Sequence, residues 1–216
     1  MSDRVKKTYK KTELTRERIL ETAERLFTER GLFETTMIDV AENIGIGRTS
    51  LYRYYPDKLS LSLAVFESVI GEIRRNSSFN PAADTKKSGL QLTEECLRDT
   101  WLNPAVSYCY RFIAEFDAFY SGSRIPRGFA AELERVLKAN ANTHLKECLE
   151  KGIGDGSVRS DLNAALVAST LSISLRNMIG QVIARKELLV QTTEENKDKL
   201  VDSLIKLLVD GISPRP

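Results

Sequence analysis

The sequence is short of the residues on which most catalytic and metal sites depend. It contains one histidine, His144, one tryptophan, Trp101, and three cysteines, Cys96, Cys109 and Cys148. No paired His, Asp or Glu residues accompany the single histidine in a catalytic pattern. The sequence also has neither a glycine-rich phosphate loop nor a nucleophile elbow. We therefore expect no enzyme, no cofactor and no metal site, with a small all-α enzyme as the remote alternative.

The cysteines are odd in number and widely spaced, which does not indicate a disulfide framework. No N-terminal stretch resembles a signal peptide, and polar residues such as Asn163 and Arg176 interrupt the apolar stretch at residues 162–183. We expect a cytoplasmic protein without a membrane partner. His144 and Cys148 stand four residues apart, a spacing that can bind a metal or sense oxidation, and this question stays open.

Charge is nearly balanced over the whole chain but not along it. Lys and Arg number 32 and Asp and Glu 30, so the formal net charge is +2. Residues 1–11 contain five basic residues and one acidic residue. Such an arm is either a solvated tail or a segment that lies along phosphates. We predict a basic, flexible arm over residues 1–11.

Apolar residues recur at three- or four-residue spacing along most of the chain, which predicts an all-α fold of about nine helices. Thr15 is the expected N-cap of the first helix, and Gly31 follows its end. Residues 77–89 lack this periodicity and are predicted to form a loop. Apart from two short helices within residues 36–55, helices are predicted over residues 15–30, 58–76, 90–102, 104–120, 127–151, 163–186 and 194–209.

Residues 36–55 have the pattern of two short helices joined by a tight turn. Thr36 and Asp39 form a sequence typical of a capping box at the start of the first helix. Gly45 and Gly47 provide the turn, because glycine tolerates a left-handed backbone. Two short helices packed under an amphipathic helix are the plan of a helix-turn-helix, whose second helix enters the major groove of DNA.

The second short helix leaves a polar face once Leu51 and Tyr55 are assigned to the interior. Arg pairs with guanine edges, Thr contacts thymine methyl groups or phosphates, and Tyr hydroxyls donate to phosphates. A helix N-terminus is a phosphate-binding position, and a lysine just beyond the second helix is placed to clamp a phosphate. The candidates for DNA contact are Thr36, Arg48, Thr49, Tyr52, Tyr54 and Lys58. Taken singly, the two tyrosines are equally explained as packing aromatics and the lysine as a solvated side chain.

The stretch TRERILETAERLFTERGLFETTMIDVAENIGIGRTSLYRYYPDKLSL resembles the DNA-binding domain of the tetracycline-repressor (TetR) family. The resemblance covers about residues 12–72 and is most specific in GIGRTSLYRYYPDKLSL. It implies a helix-turn-helix DNA-binding domain over residues 12–72 and a helical effector-binding and dimerisation domain over residues 73–216. It also adds Ser50 to the DNA-contacting positions, although this side chain can face the interior instead. Gly47 and Tyr55 depart from the family's usual Ser or Thr cap and usual Phe.

In that family the C-terminal helices form an effector pocket and a dimer interface, so the resemblance implies both here. Core packing is the alternative for each residue. The candidate effector-binding residues are Trp101, Tyr108, Phe112, Glu115, Phe116, Phe119, His144 and Arg176. The candidate dimer-interface residues are Leu166, Thr170, Leu171, Ser174, Met178, Leu200, Leu204 and Leu207.

These expectations combine into one function. One short recognition helix reads only a few base pairs, so specific binding requires two copies and a palindromic double-stranded site. We expect a homodimeric repressor that a small-molecule effector releases from its operator through the helix at residues 58–76. An activator and an effector-free DNA-binding protein are the alternatives.

Overall fold

The computed structural model describes residues 3–122, 125–139, 143–185 and 194–215, and every regular element in these ranges is helical, as predicted. The elements in chain order are α1 Asp3–Arg30, α2 Met37–Ile44, α3 Arg48–Tyr54, α4 Lys58–Asn76, α5 Gly89–Trp101, a 3₁₀ turn Pro104–Val106, α6 Cys109–Phe119, α7 Phe129–Ala139, α8 His144–Gly154, α9 Ala164–Arg185 and α10 Glu194–Ile212.

Backbone contacts divide the chain into two compact units. The first unit consists of Met1–Gly71 and Glu115–Asn140, and the second of Glu72–Ala114 and Ala141–Pro216. The division after Gly71 lies beside the domain limit expected at residue 72. The sequence does not anticipate that the end of α6 and all of α7 belong with the N-terminal helices.

The N-terminal helices of the first unit each bury one apolar face. Helix α1 packs on α2, and α2 packs on α3. Each fully buried Leu, Ile or Phe stabilises the fold by about 1.5–3 kcal/mol relative to exposure, so these faces fix α2 and α3 in place. The buried side chains include Ile19, Ala23, Leu26 and Phe27 of α1, Val40, Ala41 and Ile44 of α2, Leu51 of α3, and Leu61, Val65 and Phe66 of α4.

An aromatic cluster explains why residues from 115 onwards join the first unit. Phe66 of α4 stacks on Phe116 of α6 with ring centres 4.5 Å apart, and Tyr120 stacks on Phe129 of α7 at 4.9 Å. The Tyr120 hydroxyl also forms a buried 2.6 Å hydrogen bond with Ser62 of α4. The contacts of α4 with Phe116 and Tyr120 join residues that are 50 or more positions apart in the chain, so no local pattern reveals them.

In the second unit, α5 packs on α8, and α10 packs on both α5 and α9. Helices α5 and α8 approach closely where Gly89 meets Gly152, since a Cβ on Gly89 would lie 2.0 Å from the Gly152 nitrogen. Arg98 of α5 forms an ion pair with Asp202 of α10. Shape and charge thus both fix α5 within this unit.

Helix α1 is longer than predicted, because it begins at Asp3 rather than at Thr15. The first 30 residues contain neither glycine nor proline, so nothing in them stops a helix from extending toward the N-terminus. The backbone from residue 3 to residue 11 is therefore helical where a flexible arm was predicted. Thr15 lies in the middle of α1 and is not its N-cap. Residues 1 and 2 of that arm lie outside the described residues.

Two predicted helices are each divided. The helix expected over residues 104–120 begins as a separate 3₁₀ turn, in which the Asn103 side chain accepts the Ala105 N–H at 3.0 Å. The helix expected over residues 127–151 is wrong as a single element, because α7 ends at Ala139 and α8 begins at His144. The intervening sequence contains two asparagines and a threonine, which are residue types of low helix propensity. Residues 140–142 lie outside the described part of the chain, as does residue 186 at the end of another predicted helix.

Candidate DNA-binding interface

Helix α2 begins with the predicted capping box. The Thr36 Oγ1 accepts the Asp39 N–H at 3.2 Å, while the Asp39 carboxylate accepts the Thr36 N–H at 2.7 Å and the Thr36 hydroxyl at 2.6 Å. The side-chain bond to Thr36 is the main cause that holds the pKa of Asp39 below its ordinary value. The start of α2 therefore already contains an anion, and a DNA phosphate there would share the helix N-terminus with Asp39.

The turn between α2 and α3 depends on Gly45. Its φ is +71°, and the N–H of Ile46 donates to the Ala41 carbonyl at 3.0 Å, which closes the end of α2. Gly47 then precedes α3 in an extended conformation and contributes no side-chain cap. The predicted pair of short helices joined by a tight turn is confirmed, although only Gly45 adopts the left-handed backbone expected of the two glycines.

Helix α3 is anchored on one side and open on the other. Leu51 and the following Tyr55 are buried, as predicted. Tyr52 keeps 45% of its surface exposed although it is aromatic. The exposed residues of α3 are Arg48, Thr49, Tyr52 and Arg53, and the half-buried ones are Ser50 and Tyr54. The open face carries two guanidinium groups, a hydroxyl and an aromatic ring, which are groups that contact bases and phosphates.

Arg53 is the residue of this face that the sequence analysis missed. It lies two positions from both Leu51 and Tyr55, the residues assigned to the interior, so its outward direction was readable from the same pattern. Arg48, which was predicted, is paired with Glu42 at 3.5 Å. Both partners of that pair are largely exposed, so the pair contributes little and can exchange for a DNA contact.

Lys58 is held by its own chain. Its ammonium group donates to the Leu32 carbonyl and lies 4.7 Å from the centre of the Phe119 ring. Burial lowers the pKa of Lys58, while Asp39 and Glu34 act in the opposite direction. The ammonium group has three N–H donors, so the predicted phosphate clamp at Lys58 would either use a donor that the Leu32 carbonyl leaves available or replace that bond.

Tyr55 has a specific partner for the hydroxyl group that distinguishes it from Phe. The Arg16 Nε donates to this hydroxyl at 3.4 Å, and the Arg16 guanidinium lies 5.7 Å from the centre of the Tyr55 ring. This bond raises the pKa of Arg16. Tyr55 thus links α1 to the end of α3 through both its hydroxyl and its ring, whereas a phenylalanine at this position would offer the ring contact alone.

The residues predicted to bind an effector are divided between the two units. Phe112 and Phe116 are fully buried, which fits core packing. His144 lies against Phe79 with ring centres 6.0 Å apart. Glu115, Phe116 and Phe119 belong to the first unit, and Trp101, Tyr108, Phe112, His144 and Arg176 belong to the second.

The second unit contains a cavity of about 160 Å³ at the end of α5. Trp101 lines this cavity and is also one of the residues predicted to bind an effector. The lining also includes Tyr110 of α6, Ile179 and Ile183 of α9, and Lys197 and Val201 of α10. The cavity is thus built mainly from residues that the sequence analysis did not associate with a ligand.

Cys96 and Cys148 are buried thiols. Burial raises the pKa of Cys96 to about 12 and that of Cys148 to about 11. Since the thiolate is the reactive and metal-binding form, this environment does not favour the sensor that the spacing of His144 and Cys148 allowed. Among the described residues, no group of three or more His, Cys, Asp or Glu side chains is placed to hold a metal ion.

Helices α9 and α10 present an apolar stripe to solvent. Leu166 and Leu207 are 69% and 67% exposed, and Ile173 and Leu200 are also exposed. Of the other predicted interface residues, Thr170 is exposed, Ser174, Met178 and Leu204 are half-buried, and Leu171 is buried within the chain. Ala164–Ile183 of α9 is long and apolar enough to cross a membrane by length and composition alone, and 22% of it is buried.

Comparison with known sequences identifies the N-terminal region. The profile of the family described as bacterial regulatory proteins, tetR family, matches residues 19–65. The transcriptional repressor KstR2 of Rhodococcus jostii is 32% identical over 165 residues, which span 70% of this chain and 71% of that protein. The regulator TtgR of Pseudomonas putida is 37% identical over 65 residues, which span only 30% of this chain and 31% of that protein.

Comparison with solved structures extends the similarity to most of the chain. The transcriptional regulator FadR from Bacillus subtilis, solved in complex with stearoyl-CoA, matches with a TM-score of 0.64 over 91% of this chain and 98% of that protein. The sequence identity in this alignment is 17%, so it supports the fold alone.

Proposed function

Since the chain belongs to the TetR family of bacterial regulatory proteins, we propose that it is a transcriptional repressor that binds a palindromic operator as a homodimer and is released by a small molecule. The open face of α3 is the observation that carries this proposal. Arg48 is assigned to a base edge, Thr49 and Tyr52 to thymine methyl groups and phosphates, and Arg53 to a phosphate.

A dimer is required because α3 contains seven residues and reads only a few base pairs. Two copies of α3 must be separated by about 34–36 Å, one turn of DNA, or by a multiple of it. The exposed stripe of Leu166 and Ile173 on α9 and Leu200 and Leu207 on α10 supports a two-fold interface, since one surface then covers an identical one. Covering this stripe also explains the apolar character of α9 without a membrane, in keeping with a cytoplasmic protein.

Release of DNA requires an effector that binds one conformation better than another. FadR from Bacillus subtilis, which shares this fold, was solved with a bound ligand, stearoyl-CoA. By analogy we assign the ligand site of this chain to the helices that follow the DNA-binding region. Helix α4 contributes residues to both units, since it begins at Lys58 and runs past Gly71 to Asn76. We assign the transmission of the ligand signal to this helix.

Other functions are less well supported. The relatives named above are transcriptional regulators rather than enzymes. An activator would use the same interface and differ in whether bound protein raises transcription. An effector-free DNA-binding protein would show no ligand that changes operator affinity.

The proposal is tested by selecting bound fragments from random duplex DNA. We expect an enriched palindrome with half-sites about 10 base pairs apart, or a multiple of that spacing. Recovery of unrelated fragments by a folded protein would contradict the proposal.

The selected operator then tests the assignments on α3. Arg48→Ala is expected to relax the preference at one base pair, by about 1–3 kcal/mol. Arg53→Ala is expected to weaken operator and unrelated DNA alike and to reduce the salt slope by about 0.9. Lys146→Ala is the matched control, because it removes an exposed positive charge from α8. Equal effects of all three changes would contradict the interface.

A further inference from the structure

The cavity at the end of α5 is small for a regulatory ligand site. Its volume is about 160 Å³. Sites for drug-sized ligands occupy roughly 300–1,000 Å³, whereas an apolar cavity of about 150 Å³ accepts a benzene molecule. The size therefore fits a single aromatic ring with a short substituent and does not fit an acyl-CoA.

The walls of the cavity favour a flat aromatic molecule. Trp101 and Tyr110 are stacked with ring centres 5.1 Å apart and planes inclined by 25°. The Tyr110 hydroxyl donates to the Thr100 carbonyl, so Tyr110 offers its ring to the cavity while its hydroxyl is engaged. Ile179 and Val201, both buried, add apolar surface to the lining. A ring placed here gains both apolar burial and aromatic contact.

The polar part of the lining favours a negative substituent. Lys197 lines the cavity, is half-buried and lies in the first turns of α10, where the positive end of the helix dipole also attracts an anion. Asp198 also lines the cavity, but it is exposed, so water screens its charge more strongly than that of the half-buried Lys197. A ligand carboxylate beside Lys197 would gain a charge-assisted hydrogen bond.

We propose that this cavity binds a monocyclic aromatic carboxylate, with the ring against Trp101 and Tyr110 and the carboxylate at Lys197. The ligand is also the effector that releases operator DNA, and this second statement rests on the function proposed above. Binding of the carboxylate to the cavity does not require DNA.

Trp101 makes the binding statement directly measurable, because it is the chain's single tryptophan and lines the cavity. Titration with benzoate is expected to change Trp101 fluorescence saturably. Three probes are compared with benzoate. Benzyl alcohol has the ring without the charge, benzylamine has the ring with a positive charge, and hexanoate has the carboxylate without the ring. We expect benzoate to bind at least about ten-fold more tightly than each of them, since a charge-assisted bond and a ring contact are each lost.

Two variants test the assigned residues, with calorimetry as a second readout and a thermal melt to verify folding. Lys197→Gln is expected to weaken benzoate about ten-fold and to leave benzyl alcohol unchanged. Ile183→Phe is expected to fill the cavity and abolish binding of both. Lys199→Gln, an exposed change on the same helix, is the matched control. Benzoate binding that is absent, equal to that of benzylamine, or unaffected by Lys197→Gln would overturn the proposal.

The effector statement is tested with the selected operator. Benzoate is expected to release operator DNA over the concentration range in which it changes Trp101 fluorescence, and Lys197→Gln is expected to shift both curves together. If benzoate binds without releasing DNA, the effector statement is overturned and the site stands. If the protein binds no operator, the proposed function fails, while the fluorescence titration still decides the binding site.

Discussion

Replacement of Gly89 by alanine tests the packing of the second unit at its closest point. The added Cβ would lie 2.0 Å from the Gly152 nitrogen, 2.3 Å from the Gly152 Cα and 2.6 Å from the Cys148 carbonyl oxygen. All three atoms belong to the backbone, so no side-chain rotation relieves the overlap. Because non-bonded carbons prefer about 3.5–4.0 Å, α5 and α8 would have to separate by more than 1 Å, on the order of a full bond length.

The expected cost follows from this displacement. Overpacking of a well-packed core costs about 1–3 kcal/mol, and a clash with backbone lies at the upper end. Separation of the helices also strains two hydrogen bonds at the start of α5. The Gly89 N–H donates to the Asp155 carboxylate at 2.8 Å, and the Leu90 N–H donates to the Ser157 hydroxyl at 3.0 Å. The lower entropy of unfolded alanine offsets about 0.4–1 kcal/mol. We expect a net loss of about 3 kcal/mol.

Urea unfolding followed by far-UV circular dichroism measures this loss, at one fixed protein concentration because the stability of the proposed dimer would depend on that concentration. The corresponding fall in Tm is about 6–12 °C for a chain of this size. Gly154→Ala is the matched control, since Gly154 ends α8 and no atom lies within 4 Å of its added Cβ. A Gly89→Ala variant within about 0.5 kcal/mol of the unaltered protein, the usual range for surface changes, would refute the reasoning.

Three further changes have defined outcomes. Gly47→Ser is expected to raise the free energy of unfolding by a few tenths of a kcal/mol, because it supplies the missing cap of α3; thermal melting measures the gain. Tyr120→Phe is expected to cost about 1 kcal/mol in urea unfolding, because it removes the buried bond to Ser62. Stability is expected to fall as the pH rises from 9 toward 11 and 12, since the unfolded chain ionises Cys96 and Cys148 near their ordinary pKa of 9.0 while burial holds their folded pKa values at about 12 and about 11; urea unfolding at successive pH values measures it.

Each of these has a control. Gly47→Ala offers no oxygen to the first turn of α3, so it should fall short of Gly47→Ser, and equal melting temperatures would argue against the cap. Ser121→Ala removes an exposed hydroxyl next to Tyr120 and should change little, whereas a Tyr120→Phe variant as stable as the unaltered protein would show that the bond contributes nothing. A Cys96→Ala and Cys148→Ala double variant should lose the thiol part of the alkaline fall; an unchanged slope would assign that fall to other groups.

The sequence predicted best the elements whose signals lie within a few residues. Thr36 and Asp39 define the start of α2, and Gly45 defines its end, because caps and left-handed turns need particular side chains at fixed positions. Helix α4 runs from Lys58 to Asn76 as predicted. The predicted outward face of α3 follows from the inward positions of Leu51 and Tyr55, which local periodicity determines.

The remaining features depend on contacts between distant parts of the chain. The stacking of Phe66 on Phe116 assigns the end of α6 to the first unit, yet each residue alone is compatible with any apolar core. Trp101 was predicted to meet a ligand, but its neighbours Tyr110 and Val201 come from other helices, and periodicity does not tell which helices meet. Lys58 was predicted to clamp a phosphate, and its internal bond was not foreseen because the carbonyl that accepts this bond belongs to Leu32, 26 positions earlier.

These internal bonds change the energetics expected for DNA binding. Thr36 is bonded to Asp39, Arg48 to Glu42 and Lys58 to the Leu32 carbonyl before any DNA arrives. A contact that replaces an existing bond contributes only the difference between the two, so these residues contribute less affinity than isolated side chains would. The Lys58 bond is the most costly of the three to exchange, because its ammonium group is also desolvated over the Phe119 ring. Arg53 takes part in none of these three bonds, so its phosphate contact should be reduced least by them, and its deletion should lower binding to all DNA sequences equally.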